Sequence, residues 1–184
     1  MTSFRKYVIV TQKSTSDDTS RIKIKQPQTY SYLVNHSAWF DKRGSVIYRK
    51  RPKFCIFGIG SYSFLQYKIA IAGLYKSTRF SLVKPMDNKC VMLDDTCYLL
   101  GFDNEDTANC VLKILNSEIV QRFMKSLVFY DAKRSINKDL LMRIDLEKAA
   151  KKLYTADMLS ETEYDIVMSC FERKTELQSL PLFA

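Results

Sequence analysis

The hydrophobic pattern along the chain predicts a β-sheet in the middle, followed by helices. A two-residue period runs through Phe54–Ile59 and again through Tyr67–Ala72, which is typical of strands. A loop at residues 58–64 would join these two strands. Shorter apolar runs separated by turn residues extend the predicted sheet, at residues 80–83, 91–93 and 96–99.

After Gly101 the apolar positions recur at helical spacing. Asp103 and Ser117 are predicted N-caps of two helices that end near Leu115 and Leu127. Two shorter helices are predicted after Asn137 and Asp145. A capping box at residues 160–163 predicts the start of a last amphipathic helix.

The first residues predict a strand, a loop and a helix. Phe4–Thr11 has the β-branched and aromatic content of a strand, and a polar, flexible loop follows it. Pro27 is predicted to open a helix, since apolar residues follow it at helical spacing. The single histidine, His36, is predicted to be a surface or capping residue.

Together these patterns predict a single α+β domain. Its core would be a twisted mixed β-sheet from the middle of the chain, flanked by helices from the C-terminal half. A length of 184 residues is enough for one sizeable core and short for two. We expect residues 1–26 to form a strand and a flexible loop, and residues 147–184 to form C-terminal helices.

Positive charge is concentrated in one part of the chain. Residues 42–86 contain ten Lys or Arg and no Asp or Glu, together with eight aromatic residues and four of the five glycines. Residues 1–60 carry the whole net charge of +9, because the remaining residues contain seventeen of each sign. Cations interleaved with aromatic rings favour nucleic acid as the ligand, with solubility as the alternative use of the charge.

The predicted DNA contacts fall into three groups. Cations in the densest part of the basic run are predicted to contact phosphate, and residues of the glycine loop and the strand after it are predicted to lie near bases. A later pair of cations is predicted as a second anchor. The complete set is Arg43, Arg49, Lys50, Arg51, Lys53, Tyr62, Phe64, Lys68, Lys76, Lys133 and Arg134.

Most sequence signatures of enzymes are missing. Phe57-Gly58-Ile59-Gly60 lacks the third glycine of a dinucleotide fingerprint, and one histidine cannot supply a His-rich metal site. The five cysteines show no zinc-binding spacing and predict reduced, packed thiols. No apolar run is long enough to span a membrane, so we expect a cytoplasmic protein without a membrane partner.

Two alternatives to DNA recognition stay open at this point. Asp94 and Asp95, with Asp87-Asn88-Lys89 nearby, would suit a small Mg²⁺-dependent restriction endonuclease, although turn residues are the more ordinary interpretation. A basic face can also dock an acidic protein.

Several motifs together resemble the C-terminal target recognition domain of bacterial restriction-modification N6-adenine DNA methyltransferases, a relative of type I specificity-subunit recognition domains. The resemblance covers Pro27 to Leu146. The motifs are Phe54–Phe64 with Tyr67-Lys68, Gly73-Leu74-Tyr75-Lys76, Asp94–Tyr98, Leu115-Asn116-Ser117, Asp131–Ile136, and Leu140 with Arg143–Leu146.

The resemblance implies sequence-specific binding of double-stranded DNA, next to a catalytic domain that flips out and methylates adenine. The chain departs from those enzymes because it lacks their Asn-Pro-Pro-aromatic motif. We therefore expect no catalytic residues and no cofactor here, with S-adenosylmethionine on a separate catalytic domain or subunit. The chain is then a fragment of a methyltransferase or a free-standing recognition subunit.

Overall fold

The computed structural model describes residues 7–14 and 16–176, with only the backbone for residues 173–176. They fall into two compact units, one up to Ser63 and the other from Phe64. The helices are α1 (Ile22–Lys25), α2 (Pro27–Asn35), α3 (Ser37–Asp41), α4 (Glu105–Leu115), α5 (Glu118–Leu127), α6 (Lys138–Leu141), α7 (Leu146–Thr155) and α8 (Glu161–Glu176). The strands are β1 (Tyr67–Ala72), β2 (Ser81–Val83) and β3 (Cys97–Phe102).

The first unit is built around the buried ring of Phe54. Tyr30 of α2 and Phe40 of α3 meet this ring edge-on, with centroids 5.9 and 5.2 Å away. Pro27 stands at the start of α2, where a missing N–H costs nothing. His36 caps the end of α2, and its Nδ1 lies 2.8 Å from the Tyr32 carbonyl oxygen, so the prediction of a capping residue is confirmed.

The second unit packs helices against a three-stranded sheet of order β2-β1-β3. Both pairings are antiparallel, with Ile69 opposite Leu82 on one side and Leu100 on the other. Helix α4 contacts all three strands and also α5, α7 and α8. Its residues Ile114 and Leu115 are completely buried in the core of this unit.

The α+β class and the position of the sheet in the middle of the chain are confirmed. The sheet is antiparallel throughout the described residues, whereas the sequence predicted a mixed one. The predicted strands at Tyr67–Ala72, 80–83 and 96–99 correspond to β1, β2 and β3.

Three predicted strands are wrong in the described part of the chain. Residues 7–11, 54–59 and 91–93 form no strand, and residues 4–6 lie outside the described residues. At residues 54–56 the physical reason is that side chains, rather than a neighbouring strand, form hydrogen bonds with the backbone N–H and carbonyl groups. The Gln12 amide accepts a hydrogen bond from the Ile56 N–H at 3.0 Å and donates one to its carbonyl at 3.1 Å.

Helix caps follow the sequence closely. Asn137 and Asp145 cap α6 and α7, each accepting a hydrogen bond from a backbone N–H at 2.9 Å. The capping box of α8 is formed by Ser160 and Glu163, which exchange hydrogen bonds of 2.8 and 3.2 Å. The cap of α4 lies one residue later than predicted, because Asn104 rather than Asp103 accepts from the Thr107 N–H.

The corner between α4 and α5 holds β2 in place through amide side chains. Asn116 exchanges two hydrogen bonds with the backbone of buried Phe80, at 2.9 and 3.0 Å. Gln121 of α5 accepts from the Thr78 hydroxyl and donates to the Thr78 carbonyl. The motif Leu115-Asn116-Ser117 is therefore a structural support for the segment that enters β2.

We expect Asn116→Ala to lower the free energy of unfolding by about 1 to 3 kcal/mol, because it leaves buried backbone groups of Phe80 without partners. Urea unfolding followed by circular dichroism measures the loss. Asn109→Ala is the matched control, since Asn109 is exposed on α4, the helix that Asn116 follows, and it should change stability by less than about 0.5 kcal/mol. Equal effects of both substitutions would contradict the supporting role.

Glu163 links α8 to α4 and makes stability depend on pH. The Lys113 ammonium lies 2.8 Å from its carboxylate, and this contact, then the Ser160 N–H, holds the Glu163 pKa below its ordinary value of 4.5. The pKa of Glu163 is lower in the folded protein than in the unfolded chain. The ionised carboxylate therefore adds to the free energy of unfolding at pH values above the unfolded pKa, and this stabilisation is lost as pH falls through the folded pKa. The stability difference between the wild type and Glu163→Gln should therefore shrink as urea titrations move from neutral to acidic pH. A constant difference would contradict this linkage.

Candidate nucleic-acid interface

The densest run of cations forms a tight turn in the first unit, which we call the basic turn (residues 42–53). A short 3₁₀ helix, Val46–Lys50, lies at its centre. Ser45 starts this helix by accepting a hydrogen bond from the Ile47 N–H at 3.3 Å. The tight winding places consecutive cations at a solvent-exposed surface.

Arg43 points into the basic turn and holds it together. Its guanidinium donates to the carbonyl oxygens of Phe40, Cys55 and Lys53 at 3.2, 2.7 and 2.6 Å. The same group lies over the rings of Tyr48 and Phe40, 3.9 and 4.9 Å from the centroids. Arg43, which is predicted to contact phosphate, therefore has a structural role, since three of its N–H groups donate inside the unit.

The other predicted phosphate ligands of this turn are exposed. Among the described residues, Arg49, Lys50 and Arg51 have no carboxylate within ion-pair distance. Lys53 lies 3.7 Å from Asp41, and both side chains are mostly in solvent, where such a pair contributes little. The basic turn thus leaves five cations accessible to an anionic ligand, these four and Lys42.

The glycine loop is explained by internal packing. Gly58 has a positive φ of 72°, which glycine adopts without strain. The Tyr62 ring lies against Gly60, where an added Cβ would be 2.6 Å from the ring, and the Tyr62 hydroxyl donates to the Gly58 carbonyl at 2.9 Å. Tyr62 and Phe64, predicted near bases, are both partly buried.

Lys68, also predicted near bases, is corrected by the structure. Lys68 is the second residue of β1 and is 1% exposed, and its Nζ donates to the Leu65 carbonyl at 2.6 Å. Burial lowers the pKa of this ammonium group. A buried cation in this position cannot reach a ligand outside the fold.

A second group of exposed cations lies at one end of the sheet, on segments that we call the sheet-end loops (residues 73–80 and 129–136). The Gly73 N–H donates to the Thr96 carbonyl at 2.8 Å, just ahead of β3. A Cβ on Gly73 would lie 3.1 Å from the Ile136 carbonyl oxygen. The glycine thus allows the two loops to approach each other closely.

The sheet-end loops carry the remaining predicted contacts. Lys76, Lys133 and Arg134 are all exposed. Arg134 lies 4.0 Å from the Asp95 carboxylate, at the limit of an ion pair. Three motifs that are far apart in sequence therefore meet here, namely Gly73–Lys76, Asp94–Tyr98 and Asp131–Ile136.

Asp94 and Asp95, which were considered for a nuclease, lie in the turn before β3. Asp94 accepts hydrogen bonds from the N–H and hydroxyl of Thr96, and these bonds lower its pKa. Within the part of the chain that the structure describes, no group of three or more His, Cys, Asp or Glu could hold a metal ion. No observation favours the nuclease alternative.

Comparison with known proteins gives one relationship over most of the chain. This chain is 44% identical over 146 residues to the Type II methyltransferase M.NspV of Nostoc sp. (strain ATCC 29411 / PCC 7524). The chain is similar to part of a Type II methyltransferase. The match covers 79% of this chain and 30% of that protein. No family model matches, and neither does any solved structure.

This similarity supports the methyltransferase relationship that the sequence motifs predicted. The described residues contain no helix long and apolar enough to cross a membrane.

Exposed aromatic residues near the cations were not among the predicted contacts. Trp39 is 70% exposed and lies 5.0 Å from the Lys42 ammonium. Tyr75 and Phe129, on the sheet-end loops, are 72% and 80% exposed. The sequence signal was present at Tyr75, which lies two residues after Gly73 and precedes Lys76, but composition alone does not distinguish an exposed ring from a buried one.

We expect Arg43→Lys to destabilise the first unit by about 1.5 to 3 kcal/mol, because lysine cannot reproduce the three-way hydrogen bonding of the guanidinium. Fluorescence of Trp39, the single tryptophan, follows unfolding of this unit in urea. Arg51→Lys, a control on the same turn, should leave the urea concentration at the midpoint of unfolding unchanged. A stable Arg43→Lys variant would restore Arg43 as a candidate phosphate ligand.

Proposed function

We propose that this chain binds double-stranded DNA and supplies sequence recognition to a methyltransferase catalytic domain or subunit. The basic turn carries the proposal, because Arg49, Lys50 and Arg51 are exposed there without carboxylate partners among the described residues. Exposed cations of this kind neutralise phosphates and release counterions from DNA. The similarity to a Type II methyltransferase supports DNA modification as the setting.

Two groups of cations would contact the DNA backbone in this proposal. One is the basic turn, with Arg49, Lys50, Arg51 and Lys53. The other comprises Lys76, Lys133 and Arg134 on the sheet-end loops.

The methyl transfer itself is assigned to a separate catalytic domain or subunit, which would modify adenine at N6 and hold S-adenosylmethionine. The described residues do not fit that cofactor. Nucleotide-like cofactors are bound where a parallel strand turns into a helix through a glycine-rich loop. Here the sheet is antiparallel, and Gly60 is packed against Tyr62. With DNA as its ligand, the protein would act in the bacterial cytoplasm.

Binding to a random-sequence duplex of about thirty base pairs at several salt concentrations tests the proposal. For the wild type we expect the logarithm of the affinity to fall steeply with the logarithm of salt concentration, by about 0.9 per phosphate contact. Arg51→Ala should weaken binding to all sequences alike and reduce this slope by about 0.9, because one contact is lost.

Lys151→Ala is the matched control for net charge. Lys151 is exposed on α7 and pairs with Glu147 at 2.6 Å, so its loss should leave the salt slope unchanged. Equal slopes for the wild type and Arg51→Ala would remove Arg51 from the interface. Absence of binding even at low salt would contradict the proposal, and retained affinity for an acidic protein would then favour a protein-docking role.

A further inference from the structure

The sheet-end loops are held rigidly at several points. The first loop is fixed at its start by the bond from Gly73 to Thr96. It is fixed at its end by the paired bonds of Gln121 with Thr78 and of Asn116 with Phe80. Only residues 74–77 lie between these supports, so their positions are largely determined before any ligand binds.

The second loop is also folded back on itself. The Ala132 N–H donates to the Phe129 carbonyl at 3.2 Å, and the Ser135 hydroxyl donates to the Ala132 carbonyl at 3.1 Å. Val128 on one side and Ile136 on the other are buried in the core. The loop therefore presents Phe129 and its cations from a fixed base.

Each loop carries a large solvent-exposed aromatic ring together with at least one cation. Tyr75 precedes Lys76, and Phe129 lies on the loop that carries Lys133 and Arg134. Exposed rings on ordered loops lose little conformational entropy when they bind, and aromatic rings stack on bases or insert between base steps. Flanking cations can then hold the neighbouring phosphates, since the Arg134–Asp95 pair is exposed and easily exchanged.

We infer that Tyr75 and Phe129 contact the bases of the duplex and determine which sequence is preferred, while the basic turn supplies affinity that is independent of sequence. This inference rests on the proposed DNA binding. It replaces the predicted base contacts Tyr62, Phe64 and Lys68, whose side chains are partly or completely buried. The residues that distinguish one DNA sequence from another are thus the exposed rings of the second unit.

The test is a selection from a library of duplexes with a randomised centre, carried out with the full chain. The wild type should enrich a defined sequence. Tyr75→Ala and Phe129→Ala should each reduce affinity for that sequence by about tenfold and change random-duplex affinity by no more than about twofold. Arg51→Ala should weaken both kinds of binding equally and enrich the same sequence.

Tyr154→Ala serves as the control for loss of a partly exposed ring, because Tyr154 lies on α7 and stacks on Tyr164, 4.4 Å between centroids. It should enrich the wild-type sequence. Urea midpoints of all variants exclude unfolding as the cause of a change.

The outcomes distinguish failure of the proposed DNA binding from failure of the inference about Tyr75 and Phe129. If the wild type fails to bind duplex DNA at low salt, the proposed function fails. If it binds but enriches no sequence, or if the Tyr75 and Phe129 variants enrich the wild-type sequence with unchanged affinity, DNA binding stands and the inference about these two rings is overturned.

Discussion

Buried backbone groups need hydrogen-bond partners, and in this protein amide and guanidinium side chains supply them where strand ladders are absent. Gln12 pairs with both backbone groups of Ile56, and Asn116 pairs in the same way with Phe80. Arg43 satisfies three carbonyl oxygens at the base of the basic turn. These side chains give irregular segments hydrogen bonds that a neighbouring strand would otherwise supply.

The candidate interface depends on this arrangement. Because Arg43 turns inward, the neighbouring Arg49, Lys50 and Arg51 remain on the outside of a defined turn. Because Asn116 and Gln121 hold residues 78–80, the tip of the first sheet-end loop has a fixed position. Cations and aromatic rings in ordered positions are better suited to recognition than the same residues on mobile loops, since less entropy is lost on binding.

Elements whose signals are local could be predicted from the sequence. The helices after residue 101 and their starts at Ser117, Asn137 and Asp145 were predicted, because the start of a helix depends on residues within one turn. Ser117 occupies the N-cap position of α5 without a side-chain hydrogen bond to the helix. The strand Tyr67–Ala72 was predicted because its alternation matches burial in a sheet. The same alternation at Phe54–Ile59 was misleading, since a strand also needs a partner, and side chains from residues 11–12 and 43 occupied its backbone groups instead.

The sequence by itself determined the class of the fold, the concentration of positive charge in residues 42–86 and the relationship to methyltransferases, because composition and motifs are properties of the chain. The tertiary structure decided which cations face solvent. Arg43 and Lys68 look like Arg51 in sequence but are turned inward or buried, and Tyr75 and Phe129 are exposed rings on two loops that approach each other at Gly73. Whether a given side chain is buried or exposed depends on packing between residues far apart in sequence, which local patterns do not encode.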